Sequence, residues 1–272
     1  MINADVAWRL QLERILENGV DRSPRGKRTL DVPNGMVVVD MRRPVVTTPE
    51  RKLSYQFMAA EAHWILSGSD KVADIAPWNK NISQFSDDGV KFFGAYGPKI
   101  AEQLPYVIAK LKEDPHTRQA GLTIWRESPP RTKDVPCTVA MFFGLCDNEL
   151  DAFVFMRSSD AWLGLPYDIF NFSMVAHLIC SVMNTERQFD AIATGRVPGL
   201  VIPGTLYLTM ASSHLYEEHF EAAQQIVKLG GPPSMQPRTP AELWDSTGNL
   251  LHVLAHLRDS KAGDPSRWWN AS

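Results

Sequence analysis

The chain has 272 residues, 44% of them apolar and 22% charged, which fits one large globular domain over residues 1–272 and excludes a disordered or low-complexity polymer. A formal charge of −3 and a pI near 6.2 leave no basic field for nucleic acid, so any phosphate must be met by a few local cations. Three cysteines, Cys137, Cys146 and Cys180, are too few and too scattered for a disulfide framework or a zinc site, and no metal site is expected; a reducing, cytoplasmic setting fits best.

Residues 4–18 place Trp8, Leu12, Ile15 and Leu16 on one helical face, with Gly19 as the stop. Charges are interleaved with apolar residues there, so no secretory signal is visible. Arg22, Arg25, Lys27 and Arg28 then follow with Ser23, Pro24 and Gly26, either as a solvated loop or as a mobile phosphate grip, since arginine offers a bidentate fork to phosphate. Residues 36–41 are Val-rich and strand-like, and Pro44-Val45-Val46-Thr47-Thr48-Pro49 reads as extended. Residues 53–67 read as a helix with Leu53, Phe57, Ala60, Trp64 and Ile65 on its apolar side. Glu61 falls among these positions, and periodicity alone favours a carboxylate rotated outward over one held in a pocket as a proton carrier.

Residues 68–99 are loop-rich, and the glycines at 94 and 97 around Tyr96 suggest a close backbone approach. A helix over 100–113 precedes a strand over 118–125 and a polar loop over 126–134. Strands over 139–145 and 150–156 form a hairpin joined by Cys146-Asp147-Asn148-Glu149, of the several-residue type. The longest apolar stretch, 161–183, is broken by Gly164, Pro166, Asp168 and His177, and reads as a turn and buried helix rather than a membrane span. A strand over 200–211, a helix running through Val227, a helix near 249–257 and a Pro-rich tail with Trp268 and Trp269 complete the chain.

The chemistry gathers between Pro136 and Ser173. Cys137 follows a proline at a strand start, where a buried inert thiol is the common outcome. If the two following strands pair, Arg157 approaches the sulfur and favours its thiolate, the form that attacks carbon.

These residues resemble the thymidylate synthase superfamily. The likeness rests on Pro136-Cys137, on Arg157-Ser158-Ser159-Asp160 followed by Leu163-Gly164-Leu165-Pro166, on Pro44 to Thr48, on Glu61-Ala62-His63-Trp64, on Ala95-Tyr96-Gly97 and on His214-Leu215-Tyr216, in family order. The resemblance implies an α+β fold, a mixed twisted sheet with helices on one face and a second subunit stacked on the other. It implies that Cys137 adds to C6 of a pyrimidine nucleotide, and that Glu61 and Tyr96 handle protons and ordered water. Arg22, Arg157 and Ser158 would hold the 5′-phosphate, with Arg118 reaching in from the second copy of a homodimer. His214 and Tyr216 would bind the sugar. Asp160, with Gly164 and Trp78, would face the co-substrate 5,10-methylenetetrahydrofolate.

One departure decides the base. Where ordinary thymidylate synthases carry Asn, this chain has Asp168. An amide gives N–H to uracil O4 and accepts from N3–H, whereas a carboxyl group accepts from cytosine N4–H and shares one proton with N3. Moving that proton onto N3 also makes C6 more electrophilic. Asp here resembles the cytidylate and deoxycytidylate 5-hydroxymethylases, which quench the methylene intermediate with water. Trp78 is the only Trp in its loop, and the tail Pro265-Ser266-Arg267-Trp268-Trp269 is unlike the family's closing tail; both suit a lid that admits water. For the sugar, Ala176 is either a packing residue or a small one that leaves room for a 2′-hydroxyl, and Lys133 is either solvated or near the sugar or phosphate. The expectation is 5-hydroxymethylation of CMP, favoured over dCMP. Its rivals are a thymidylate synthase acting on dUMP and an inactive nucleotide-binding protein.

Overall fold

The computed structural model describes residues 2–194, 199–230, 238–239, 242–245 and 247–260. The Trp268–Trp269 tail lies outside the described residues.

Helix α1 (Ala4–Asn18) buries Trp8, Leu12 and Ile15, and is capped by the Asn3 side chain, which accepts from Val6 N at 3.0 Å. Gly19 ends it for a steric reason: a Cβ there would meet Ile15 O at 2.4 Å and Leu30 Cβ at 2.8 Å. Strand β1 (Val20–Arg22) leads through a 3₁₀ turn (Pro24–Gly26) to β2 (Thr29–Asp40), which is longer than its Val-rich centre suggests. Asp5 is buried and accepts from both backbone nitrogens and both hydroxyls of Thr47 and Thr48, at 2.6–2.9 Å. The extended segment before α2 (Tyr55–Leu66) is thereby clamped to α1.

Short helix α3 (Val72–Ile75) and α4 (Tyr96–Glu113) follow, α4 starting at Tyr96 itself. Gly97 presses on backbone, since a Cβ would lie 2.8 Å from Ser69 O, and Gly94 likewise sits 2.5 Å (Cβ position) from Asp134 O. The close approach expected around Tyr96 is present.

Strand β3 is only Gly121–Thr123, shorter than the expected 118–125: Gly121 N turns back to Gln119 O, and before it only Ala120 still reaches β4, its carbonyl accepting from Phe143 N at 2.8 Å. Strands β4 (Thr138–Cys146) and β5 (Glu149–Met156) pair in register as Cys146↔Glu149. Their connection is a two-residue loop rather than a longer one, with φ of 48° at Asp147 and 64° at Asn148, the left-handed pair that a tight primed turn requires. Strand β6 (Ser159–Asp160), α5 (Leu165–Thr194) and β7 (Ile202–Tyr216) come next, then α6 (Phe220–Leu229), α7 (Glu242–Asp245) and α8 (Thr247–Asp259).

The seven-stranded sheet runs β1-β2-β7-β5-β4-β3, with β6 beside β7; β5 and β6 pair β7 in parallel and the other neighbours are antiparallel. Leu206, Leu208, Met210, Val154 and Met141 on one face are buried against helices. On the other face Met36, Phe142, Phe153 and Phe155 are exposed at 44–54%, and Phe153 stacks on Tyr207 at 5.0 Å. Helix α5 is long and apolar enough to cross a membrane by composition, yet 83% of that window is buried inside the protein, as expected of a core helix.

Candidate active site

Helix α2, the residue before β4, the end of β5, strand β6 and the first turns of α5 all contribute to one cleft of about 840 Å³. Cys137 lies on its wall, one residue before β4. Its carbonyl accepts from Arg157 N at 2.8 Å, so β5 hands the chain directly past the thiol. The Arg157 guanidinium braces this turn: it donates to Pro136 O at 3.0 Å, to Val135 O at 2.9 Å and to Ser158 Oγ at 3.0 Å. Ser158 Oγ in turn reaches Cys137 Sγ at 3.9 Å. Burial pushes the thiol above its ordinary value and outweighs the opposing pull of Arg157. The resting sulfur is therefore a protonated thiol that must lose its proton before it attacks.

Glu61 points into the cleft, not outward as periodicity favoured. Burial holds its carboxyl up to about 7, against the Asn171 amide, which donates to Oε2 at 2.7 Å. Asp168, in the first turn of α5, is pushed up to about 8 by burial and then by the negative charge of Glu61. Ser159 Oγ donates to its Oδ2 at 3.4 Å. Two carboxyl groups thus face one cleft with proton affinities near neutrality, where each can give or take a proton at small cost. Tyr96 adds a neutral phenol, raised by burial, whose oxygen accepts from Thr138 N at 3.3 Å and Oγ1 at 2.9 Å.

Asp160 accepts from Trp162 N at 2.8 Å and Leu163 N at 2.9 Å, closing the turn that ends at Gly164. The adjoining wall is apolar and broad, formed by Phe57, Trp78, Ile82, Phe85, Leu163 and Tyr167. Such surfaces suit a flat ring system.

The remaining expected residues lie off this wall. Arg22 is exposed on β1, 3.7 Å from Asp31. The basic loop is fastened to the sheet: Arg28 bridges Asp21 and Glu217, and Lys27 sits 5.8 Å over the Tyr216 ring. Tyr216 meets His214 at 5.4 Å between ring centroids. Burial lowers the His214 pKa; Asp160 and Asp31 oppose this, and Arg25 and Arg157 reinforce it, so both arginines act on the His214 flank. Lys133 is exposed with its backbone N on Asp87 Oδ1 at 3.0 Å, and Arg118 is exposed between α4 and β3. Ala176 is fully buried and does not line the cleft. Eight residues carry a helix about 12 Å along its axis, so a position that shares a face with Asp168 lies well below it.

Four residues of the wall were given no site role from sequence, although Trp64 was named on the apolar face of its helix and in the Glu61–Trp64 likeness. Arg51 brings a guanidinium, 5.1 Å from the Trp162 ring and donating to Trp162 O at 2.9 Å. Asp134 accepts from Gly94 N at 2.7 Å, and burial raises its pKa. Trp64 and Asn171 stand one turn beyond Glu61 and Asp168 on their helices, a spacing that was available as a signal. Trp64 Nε1 and Asn171 Oδ1 are buried with no partner among the described residues, which costs about 1–3 kcal/mol each unless something fills the gap.

A thiol, two proton-exchanging carboxyls and a broad apolar wall define an enzyme site for nucleophilic catalysis on a flat, ring-shaped substrate. The thymidylate synthase family model matches residues 7–242, and the chain belongs to that family, whose co-substrate is methylenetetrahydrofolate. It is 31% identical over 276 residues to a deoxyuridylate hydroxymethyltransferase of Bacillus phage SP01, covering 90% of this chain and 67% of that protein. It is 27% identical to a deoxyuridylate hydroxymethyltransferase of Pseudomonas phage M6 (82% of this chain, 62% of that protein). It is 25% identical to a thymidylate synthase of Enterobacteria phage T4 (80% and 78%). The chain spans about two thirds of the length of the two phage hydroxymethyltransferases.

Proposed function

We propose that this protein transfers a one-carbon unit from methylenetetrahydrofolate to C5 of cytidine monophosphate and releases the 5-hydroxymethyl nucleotide. The observation that carries this reading is Asp168, a carboxyl group on the cleft wall that keeps its proton near neutral pH. Its carbonyl oxygen accepts from cytosine N4–H while its O–H donates to N3, and passing that proton to N3 polarises C6 for Cys137. Sulfur addition makes C5 nucleophilic, and water completes the product. Arg22, Arg157 and Ser158 hold the phosphate, and His214 and Tyr216 the sugar. Tyr96 and Glu61 relay protons, and Trp78, Asp160 and Gly164 face the folate. The protein is read as a homodimer through the exposed Phe142–Phe153–Phe155 face, with Arg118 of the partner subunit completing the phosphate site. CMP is preferred to dCMP, with Lys133 on the sugar side and Ala176 acting only through packing beneath the cleft.

A second reading follows from the two phage relatives, which are named for deoxyuridylate. A protonated carboxyl turned over can donate to uracil O4 and accept from N3–H, as an amide does. Incubation with methylenetetrahydrofolate and each of CMP, dCMP and dUMP, read by mass spectrometry of the nucleotide, separates these. Hydroxymethylated cytidylate from CMP is expected, with Asp168→Asn shifting turnover toward dUMP. Turnover of dUMP with dihydrofolate formation would overturn the hydroxymethylase reading, and a hydroxymethylated uridylate alone would overturn the base assignment.

A further inference from the structure

Two buried polar atoms of the cleft wall have no partner among the described residues: the Trp64 indole N–H and the Asn171 amide oxygen. Their residues are only 8% and 5% exposed, and both line the cleft. They meet at Glu61. Trp64 follows it by one turn on α2, and Asn171 reaches across from α5 to donate to Glu61 Oε2 at 2.7 Å. The wall therefore offers one donor, one acceptor and a carboxyl group that exchanges a proton near neutrality.

Water matches this set. It accepts from the indole N–H, donates to the amide oxygen and keeps a second O–H for the carboxylate. A carboxylate ligand lacks the proton that Asn171 Oδ1 needs, and an ammonium lacks the lone pair that Trp64 needs. We infer that Trp64, Asn171 and Glu61 hold the water that becomes the hydroxyl group of the product. The inference rests on the hydroxymethylase reading above. In the step assigned to it, the water oxygen bonds to the exocyclic methylene carbon of the Cys137-bound nucleotide, and its proton passes to the Glu61 carboxylate. The π pair of that methylene moves into the ring. It then returns as the C6–S bond breaks, which releases the Cys137 thiolate and the 5-hydroxymethyl base. No oxidant or reductant enters. Asn171 has a double part, because the same amide fixes the carboxylate that takes the proton.

Trp64→Phe is the discriminating variant. It keeps an aromatic ring against Phe92, now 5.5 Å away edge-on, and deletes the N–H together with part of the indole bicycle, a packing loss that lowers tritium release and product alike. With nucleotide tritiated at C5, tritium release reports the carbon–carbon bond step, and 5-hydroxymethyl nucleotide reports the water step. The expected result is a roughly tenfold loss of product formation, the effect of one hydrogen bond to the attacking water, with tritium release changed less than about threefold. The Cys137–nucleotide–methylene adduct then accumulates by intact mass. A high-resolution crystal structure of the unmodified protein should also show a water within hydrogen-bond distance of both Trp64 Nε1 and Asn171 Oδ1, lost in the variant. Parallel falls in tritium release and product, an unchanged product rate, or no water at that place would each overturn the seat. Failure of the unsubstituted enzyme to make any hydroxymethyl nucleotide would instead overturn the reading beneath it.

Discussion

Replacing Asp168 by Asn removes a carboxyl group whose proton affinity has been lifted from an ordinary 3.8 to about 8. The native chain therefore holds a proton that the unfolded chain has already released. The associated stability is fully present below about pH 4 and is lost as pH rises toward 8. One proton's difference corresponds to about 1.4 kcal/mol per pH unit. Glu61, lifted from 4.5 to about 7, adds a second proton over the lower part of that window. Between pH 5 and 7 the two together give a ceiling near 2.7 kcal/mol per unit, which Asp168→Asn cuts to about half. Urea unfolding at half-unit steps from pH 5 to 9, with the variant curve subtracted from the unsubstituted one, cancels the titrating groups that do not interact with Asp168 and leaves its coupling to Glu61 in the difference. Any constant cost of the substitution appears as an offset, so the slope alone carries the conclusion. A difference curve that is flat from pH 5 to 8 would refute the claim that this carboxyl stays protonated in the folded cleft.

Cys137→Ala should abolish turnover by at least about a thousandfold while leaving nucleotide binding by calorimetry within a few-fold, because covalent attack is lost but the phosphate contacts remain. Iodoacetamide should alkylate Cys137 slowly at pH 7 and faster above the ordinary thiol range, following the burial that raises its pKa; rapid labelling at pH 7 would contradict that environment. Gly94→Ala drives a Cβ to 2.5 Å from Asp134 O, a backbone atom that cannot swing away, so a loss of about 1–3 kcal/mol in denaturant unfolding is expected. Phe155→Glu places a charge on the exposed aromatic sheet face and should convert the proposed dimer to monomer in sedimentation, with activity lost through Arg118 of the partner subunit.

The periodic elements were legible because one face of each is buried along its whole length. The helix over 4–18, the strands before and after Asp147-Asn148 and the helix after Pro166 all carry that signature. Glu61 shows where such reasoning stops. Its position on the apolar face was visible, but its direction depends on Asn171, which α5 brings from 110 residues away. Pairing of the two strands was foreseen and does set Arg157 beside Cys137. The fork, however, is drawn to the carbonyls of Val135 and Pro136, which no strand pattern reveals. The shortened β3 has the same origin, since the Gly121–Gln119 turn falls inside the stretch 118–125 that reads as one strand. Trp64 was named on the apolar face and in the Glu61–Trp64 likeness, but its unpartnered N–H, like the Asn171 amide oxygen, shows only once the opposite helix is in place.

The clamp on Asp5 makes the first helix part of a cleft that none of its residues lines. Thr48, held by Asp5, precedes the 3₁₀ turn Pro49–Arg51, and Arg51 grips Trp162 O on the cleft side. Trp162 leans back on Trp8 at 5.7 Å, and Trp8 Nε1 donates to Ala161 O at 2.6 Å, which returns the path to the same helix. The result is a closed mechanical ring rather than a tether. Slackening any one link leaves the other side holding, so single changes around it are damped. Two changes on opposite sides, such as Asp5→Asn with Trp8→Phe, free the Arg51 wall and should cost more together than the sum of each alone.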